Sequence, residues 1–526
     1  MTPASASRGS AAAAGAAAAA VALGVTELVA GFGPSVPSLI SAIGDIVIER
    51  APGEVVHLAI DALGTADKPV LVWTVVVISI LIGAAIGVLA RTNARAGVVG
   101  FGGFAVVGAI AGTYAALANP LFSLFAATAG AVAGLLALRL LLSAATAKPS
   151  EESIPAVVAT HETPSTPDRR GFLQALAGAG FVAGATGFIG RALMSRSVAE
   201  ASRSTVALPG RGSVSAGEQS AAALPGTTSE FDAVQGISSY ITPNNEFYRI
   251  DTALLVPQVD ASNWTMSING MVDEPLELSL DDLLAEDLID DTITIACVSN
   301  PVGGDLIGNA VWTGVPLARL LERAGVQPGA TQVVGRSVDG WTAGFPTELA
   351  LDGRPAMVAV GMNGKPLPVV HGFPARLIVP GIYGYVSATK WLREIELTTW
   401  EDFNGYWVPR GWSKLGPVKT HSRIDVPRGG YNAGPVQLGG VAWAMGRGIE
   451  RVEVQIDNED LWRPAQMGPA VSDLTWVQWS LDWEATSGTH LIAVRATDGE
   501  GQTQTAVPAD VAPDGATGYH TIAVRV

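Results

Sequence analysis

Four long apolar stretches crowd the first 150 residues, at Ala11–Ala30, Val70–Ala90, Ala96–Leu117 and Leu121–Leu142. Each approaches the roughly 20 helical residues needed to cross a bilayer. The first is rich in Ala and Gly and is the weakest of the four. Between it and the second, residues 31–68 mix apolar and acidic positions, which predicts a helix lying at the surface. Small residues dominate the third and fourth stretches (Gly97, Gly100, Gly108, Gly112, Gly130, Gly134), and such residues let helix backbones approach closely in lipid. The spans read as free of interior acidic residues and of His, which predicts an anchor rather than an ion path.

Residues 148–170 form a Pro/Ser/Thr/Glu stretch with the composition of a linker. Its end, Arg169-Arg170-Gly171-Phe172-Leu173, opens an apolar run over 171–192. The pair of arginines either flanks a fifth transmembrane helix or belongs to a twin-arginine export signal, which the segment resembles. Both readings give one topology. Arg8, Arg91, Arg95, Arg139 and Lys148 all fall on a single side if the N-terminus is cytoplasmic, which places everything after about residue 195 outside. The Ser/Ala/Gly/Pro-rich residues 193–230 read as a flexible tether.

The pattern changes again near Phe231. Over 231–412, strand-like runs (Trp264–Ile268, Thr292–Ala296, Ala375–Val379) alternate with short helical ones (Leu278–Ala285, Pro316–Ala324), which predicts an α+β domain. Over 413–526 apolar residues alternate between turn signals, as in Arg451–Ile456, Trp476–Trp479 and Leu491–Arg495. That spacing predicts an all-β sandwich of Ig-like size. The expected architecture is therefore an α-helical anchor of four spans over 1–147 and a fifth over 171–192, then an α+β domain and a β-sandwich.

Composition sharpens this picture at two points. Of the net charge of −16, the residues after 150 carry 25 basic against 42 acidic side chains. An acidic body is a poor match for a phosphate backbone, so nucleic acid is excluded as a partner. A single cysteine in 526 residues excludes an intrachain disulfide, a Cys-based structural zinc site and a Cys-ligated iron–sulfur cluster.

That cysteine, Cys297, ends the apolar run Thr292–Ala296 where a loop begins, a common place for reactive groups. A lone thiol is either a small buried hydrophobe or a reactive residue or metal ligand. Downstream, His371 and Arg376 stand five apart across a Gly-Phe-Pro turn, able to face one anionic ligand or to form a hydrogen-bonded turn beside an ion pair.

From about Asn245 onward the chain resembles the sulfite oxidase family of molybdopterin enzymes, including its bacterial sulfoxide-reductase relatives. The pieces that carry the resemblance are Phe247-Tyr248-Arg249-Ile250-Asp251, the Cys297-x-x-Asn300 step, Trp312-Thr313-Gly314-Val315-Pro316-Leu317, His371-Gly372-Phe373-Pro374-x-Arg376, Lys390-Trp391-Leu392 and Ser422-Arg423-Ile424. They cover roughly half the chain, in order. The resemblance implies a molybdenum-molybdopterin cofactor with Cys297 as the protein ligand to the metal. A thiolate is a soft donor suited to a redox-active metal. By family position, Asn245, Phe247, Tyr248, Arg249, Asp339, His371, Arg376, Ser387, Ala388, Thr389 and Lys390 would hold the pterin and its phosphate. Cys297, Tyr406 and Arg249 would take part in the reaction, Tyr406 as a hydrogen-bond donor or else as an aromatic packed at the domain junction.

One departure from the family bears on substrate. Sulfite oxidases proper follow Cys and Asn with arginines that bind the dianion, whereas here Asn300 precedes Pro301-Val302-Gly303-Gly304. A sulfoxide or N-oxide becomes at least as good an expectation as sulfite. No haem-domain signature precedes the cofactor domain, so a separate carrier, a cytochrome or a quinone-linked protein, would exchange the electrons. The Ig-like domain implies a homodimer, which five helices per chain would obstruct, and dimerisation stays open. The reading from another class is a cofactor-free surface binding module on a membrane stalk.

Overall fold

A computed structural model describes residues 6–63, 66–115, 117–146, 169–194, 198–209 and 230–526. The expected linker over 148–168 and the larger part of the expected tether, 210–229, lie outside the described residues. The chain divides into two compact units, Met1–Val198 with Ala253–Pro257, and Ala199–Thr252 with Gln258–Val526.

The first unit is helical: α1 (Arg8–Ala30), α2 (Leu39–Arg50), α3 (Gly53–Leu63), α4 (Asp67–Ala90), α5 (Ala94–Tyr114), α6 (Pro120–Thr146) and α7 (Arg169–Met194). Five of these helices, α1 and α4 to α7, are long and apolar enough to cross a membrane. Ser7 caps α1 by accepting a hydrogen bond from the Ser10 amide. Helix α1, rich in Ala and Gly, is the hub of the unit, packed against α4, α6 and α7. Its glycines explain this: a Cβ on Gly15 would lie 2.8 Å from the Gly87 Cα, so only the absence of side chains lets the two backbones meet. Large apolar side chains such as Trp73, Leu81, Val99, Leu121 and Phe125 face outward.

Two expectations change here. Glu27 lies inside α1 and is 3 % exposed, so the first span does contain an interior acid. Ser38 donates to its Oε1 at 2.6 Å and Arg191 of α7 stands 3.3 Å from Oε2. The region expected to carry one surface helix forms two, and the first half of α2 is buried through Leu39, Ile40 and Ala42.

In the second unit, α8 (Val198–Arg203) begins a segment lying on the body rather than free of it. Arg203 Nε donates to the carbonyl oxygens of Pro366 and Leu367, and Leu208 is buried. The tether expectation fails over 198–209 because this stretch finds its own carbonyl and apolar partners.

The body continues with β1 (Thr265–Gly270), β2 (Leu276–Ser279), α9 (Leu280–Ala285), β3 (Ile289–Ala296), β4 (Ile307–Pro316), α10 (Leu317–Ala324), β5 (Gln332–Ser337), β6 (Thr342–Pro346) and α11 (Glu348–Leu351). After these come β7 (Met357–Met362), β8 (Lys365–Pro366), β9 (Arg376–Ile378), α12 (Gly384–Ser387) and β10 (Leu392–Thr398). One sheet runs β2-β1-β10-β5-β6, with β1 and β10 parallel and the other pairs antiparallel. A second runs β3-β4-β7-β8, with β9 on β7, all antiparallel. Strand β3 passes from exposed Asp290 to five consecutive buried residues, Thr292–Ala296, so its C-terminal end delivers the next residue, Cys297, to the interior.

The C-terminal portion carries two four-stranded antiparallel sheets. The first runs β11 (His421–Val426), β12 (Gly434–Trp443), β16 (Val477–Ala485) and β15 (Gln466–Met467). The second runs β14 (Arg463–Pro464), β13 (Ile449–Ile456), β17 (Thr489–Asp498) and β18 (His520–Arg525). Their alternating apolar residues meet in one core containing Leu438, Val454, Trp479, Ile492 and Val494.

Candidate functional site

Cys297 leaves β3 into a loop that closes back on it. Its amide donates to the Leu306 carbonyl at 2.9 Å, and its own carbonyl accepts from the Asn300 amide at 3.1 Å. The Asn300 side chain then accepts from the Leu306 amide at 2.9 Å, tying the two ends together. The thiol is buried, and burial raises its pKa, with hydrogen bonds from Ser299 opposing. At neutral pH the free protein therefore holds a protonated, unreactive thiol. Tyr248 feels the same surroundings: burial raises its pKa first, the neighbouring Cys297 second, with the Arg376 guanidinium opposing.

A second layer of residues comes from two distant segments. Phe247 packs edge-on against Trp312 at 5.7 Å and against His371 at 5.6 Å. The His371 Nε2 lies 3.0 Å from the Asn244 carbonyl, which can only accept, so that nitrogen carries the hydrogen. Burial, then the Arg376 charge, pushes the imidazole down to about 4, so it is neutral at pH 7. Gly372, at φ +111°, supplies the left-handed turn between His371 and strand β9, which opens on Arg376.

Arg376 is the unusual residue. It is 4 % exposed, it donates to the carbonyls of His371 (3.1 Å) and Ala388 (3.4 Å), and its guanidinium lies over the Trp312 ring. Among the described residues no carboxylate pairs with it, and its Nε has no hydrogen-bond partner there. Burial pulls its pKa down to about 10. A buried guanidinium without an anion carries an uncompensated desolvation cost. Thr389, fully buried, has an unpartnered Oγ1 as well.

Lys390 and Arg249 share one buried carboxylate, Asp251: Lys390 Nζ stands 2.9 Å and Arg249 Nε 2.8 Å from its Oδ2. Burial lowers Lys390 to about 8, with Asp251 opposing. Burial raises the pKa of Asp339, and both Asp251 and Lys390 act on it electrostatically. Three cations (Arg249, Arg376, Lys390) thus outnumber the two carboxylates. Ser387 turns its hydroxyl inward to the Tyr383 carbonyl at 3.0 Å.

The structure therefore brings together Phe247, Tyr248, Arg249, Asp339, His371, Arg376 and Lys390, with Ala388 at the guanidinium. Two expected residues are situated differently. Asn245 is exposed beside the Asn244 carbonyl that meets His371. Tyr406 lies against β6, its amide donating to Thr342, and carries Trp407 at its edge and the Arg410 guanidinium 3.7 Å above its ring. Sequence reading missed Asp251 and Trp312 as site residues, although both stood inside the quoted motifs. Lys390 reaches Asp251, and Arg376 reaches Trp312, from too far along the chain for spacing to reveal.

The arrangement fits a phosphate-bearing, metal-holding cofactor. The orphaned Arg376 Nε supplies a donor for an anion, and Cys297 supplies a single sulfur ligand. Among the described residues no three of His, Cys, Asp and Glu gather as a metal cluster, so further ligands would come from the cofactor itself.

Comparison with known proteins points the same way. Residues 253–407 match the oxidoreductase molybdopterin binding domain family. The chain is 35% identical over 165 residues to an uncharacterized oxidoreductase, YuiH, of Bacillus subtilis (strain 168), an alignment covering 31% of this chain and 80% of that one. It is 30% identical over 273 residues to the mitochondrial sulfite oxidase of Macaca fascicularis, covering 44% of this chain and 50% of that relative. The chain thus spans about half the length of that enzyme. Among solved structures, the sulfane dehydrogenase SoxCD from Paracoccus pantotrophus matches with a TM-score of 0.49 and 23% identity, over 60% of this chain and 94% of that one.

Proposed function

We propose, for a chain that belongs to the family of oxidoreductases with a molybdopterin binding domain, a membrane-anchored, outward-facing enzyme that transfers an oxygen atom at a molybdenum ligated by Cys297. The observation that carries this reading is Arg376, buried with no carboxylate and no partner for its Nε among the described residues, in the same body as the sole cysteine. When bound, the molybdenum cofactor supplies the two-electron redox chemistry, and the protein supplies binding, charge and access. Arg376 and Thr389 hold the anionic end of the cofactor. Lys390 and Arg249, braced by Asp251, add positive charge, and neutral His371 presents a fixed tautomer. Phe247, Tyr248, Asp339 and Ala388 would line the same holder. Cys297 would hold the metal through its sulfur, the thiol proton passing to solvent.

The loop after Cys297 favours a neutral substrate. It carries Pro301-Val302-Gly303-Gly304-Asp305 and no arginine, so a sulfite dianion finds no charge partner there. A sulfoxide, N-oxide or other small sulfur compound needs none. Electrons pass to or from a separate cytochrome or quinone-linked carrier. The five apolar helices anchor the body at the cell membrane, with the Arg169-Arg170 pair at the cytoplasmic start of α7 as a twin-arginine-type signal. The C-terminal sandwich is an Ig-like domain of the dimerisation type.

Turnover separates the substrate classes. Purified enzyme should reduce methionine sulfoxide with a reduced viologen dye, and should oxidise sulfite with ferricyanide at a kcat/KM at least about tenfold lower, the loss expected for an unpartnered substrate charge. Preference for sulfite would overturn the neutral-substrate reading.

A further inference from the structure

We propose that the C-terminal sandwich is part of the metal site, with Arg423 and His520 as positioning residues that clamp the loop closing on Cys297. The proposal rests on the reading of Cys297 as the metal ligand.

The clamp is built from both sheets of the sandwich. Arg423, in β11, is 6 % exposed, and its three donor nitrogens all have partners. Nη1 donates to the Gly304 carbonyl at 2.8 Å, Nη2 to Ser238 Oγ at 2.7 Å and Nε to Asp425 Oδ1 at 2.7 Å. Asp425 is itself fully buried and accepts from the Ser238 amide, so the guanidinium is fixed before it reaches the loop. His520 opens β18. Its Nδ1 accepts from the Ile424 amide at 2.9 Å, which leaves the hydrogen on Nε2 and turns the ring edge toward Gly303.

The loop is shaped to receive these groups. Gly303 has φ +77°, and a Cβ there would collide with the His520 ring. A Cβ on Gly304 would collide with Asn300 Oδ1, the atom that accepts from Leu306. The Gly304 carbonyl held by Arg423 is therefore connected to Cys297 through two short links, Asn300 to Leu306 and Leu306 to Cys297. The strand before Cys297 is gripped as well. The Thr294 amide donates to Leu474 at 3.0 Å, and Thr294 Oγ1 accepts from the Trp476 amide at 2.8 Å. The thiol thus lies between two stretches of backbone that the sandwich holds on both sides.

The single cysteine makes the test specific: alkylation by iodoacetamide reads one atom of the full-length chain. In cofactor-free protein, His520→Ala and Arg423→Lys should speed alkylation of Cys297 on the order of tenfold through local opening, with the melting temperature unchanged. His520→Asn, whose amide oxygen can accept from Ile424, should keep the slow wild-type rate. If Arg423→Lys does not accumulate, the two His520 variants decide. Wild-type rates in the folded variants, a rise that follows a lowered melting temperature, or failure of His520→Asn to restore slow labelling would each refute the clamp. A separate comparison tests the underlying reading: molybdenum-loaded wild-type protein should resist alkylation relative to the cofactor-free chain. Equal rates there would remove Cys297 as ligand whatever the clamp does.

Discussion

Arg376 loses its hydration when β9 enters the second sheet, and two carbonyls and the face of Trp312 replace only part of it. A buried charge so poorly compensated costs the empty protein stability and is recovered when an anion binds. Arg376→Leu should therefore separate the two effects. Cofactor retention should fall by about tenfold to a hundredfold, the worth of hydrogen bonds to a charged group. The melting temperature of the cofactor-free protein should hold or rise, because apolar bulk replaces a lone charge. Cofactor content after gel filtration and a thermal scan check both; a variant that melts early but keeps its cofactor would assign Arg376 to the fold. At this scale Cys297 was legible in the sequence, since one cysteine at the end of an apolar run has few interpretations. The isolation of Arg376 was not, because an absent carboxylate leaves no trace in spacing.

At the scale of elements, strands and long helices follow from periodicity, and their packing does not. The Ala/Gly content of α1 is what lets Gly15 meet Gly87 and makes the helix the hub. The acid at Glu27 escaped a reading that looked for apolar stretches, and its partners Ser38 and Arg191 come from α7 and the turn before α2. Strand β11 offers a titration test. His421 stacks on Trp443, its Nε2 3.0 Å from the Ala516 carbonyl, and burial first of all holds its imidazole at about 4. The unfolded chain, with an ordinary histidine near pH 6.5, takes up the proton first as pH falls. Stability contributed by this site is thus intact above about pH 6.5 and is lost progressively down to about pH 4, roughly 3 kcal/mol in all. Melting temperature should drop over that window, and His421→Gln should flatten the drop; an unchanged slope in the variant would show that His421 is already protonated in the fold.

At the scale of the molecule, long apolar helices followed by a mostly β body were readable from the chain. What the sandwich touches was not readable, because Arg423 and His520 meet Gly303 and Gly304 across more than a hundred residues of sequence. The substrate preference and the role of the clamp both depend on one coordination bond. X-ray absorption at the molybdenum edge of the purified full-length protein counts the sulfur atoms bound to the metal. The account predicts about one molybdenum per chain, and one sulfur ligand fewer in Cys297→Ser than in the wild type. An identical sulfur count in the two proteins, or a wild-type protein without molybdenum when made in a host that synthesises the cofactor, would contradict it.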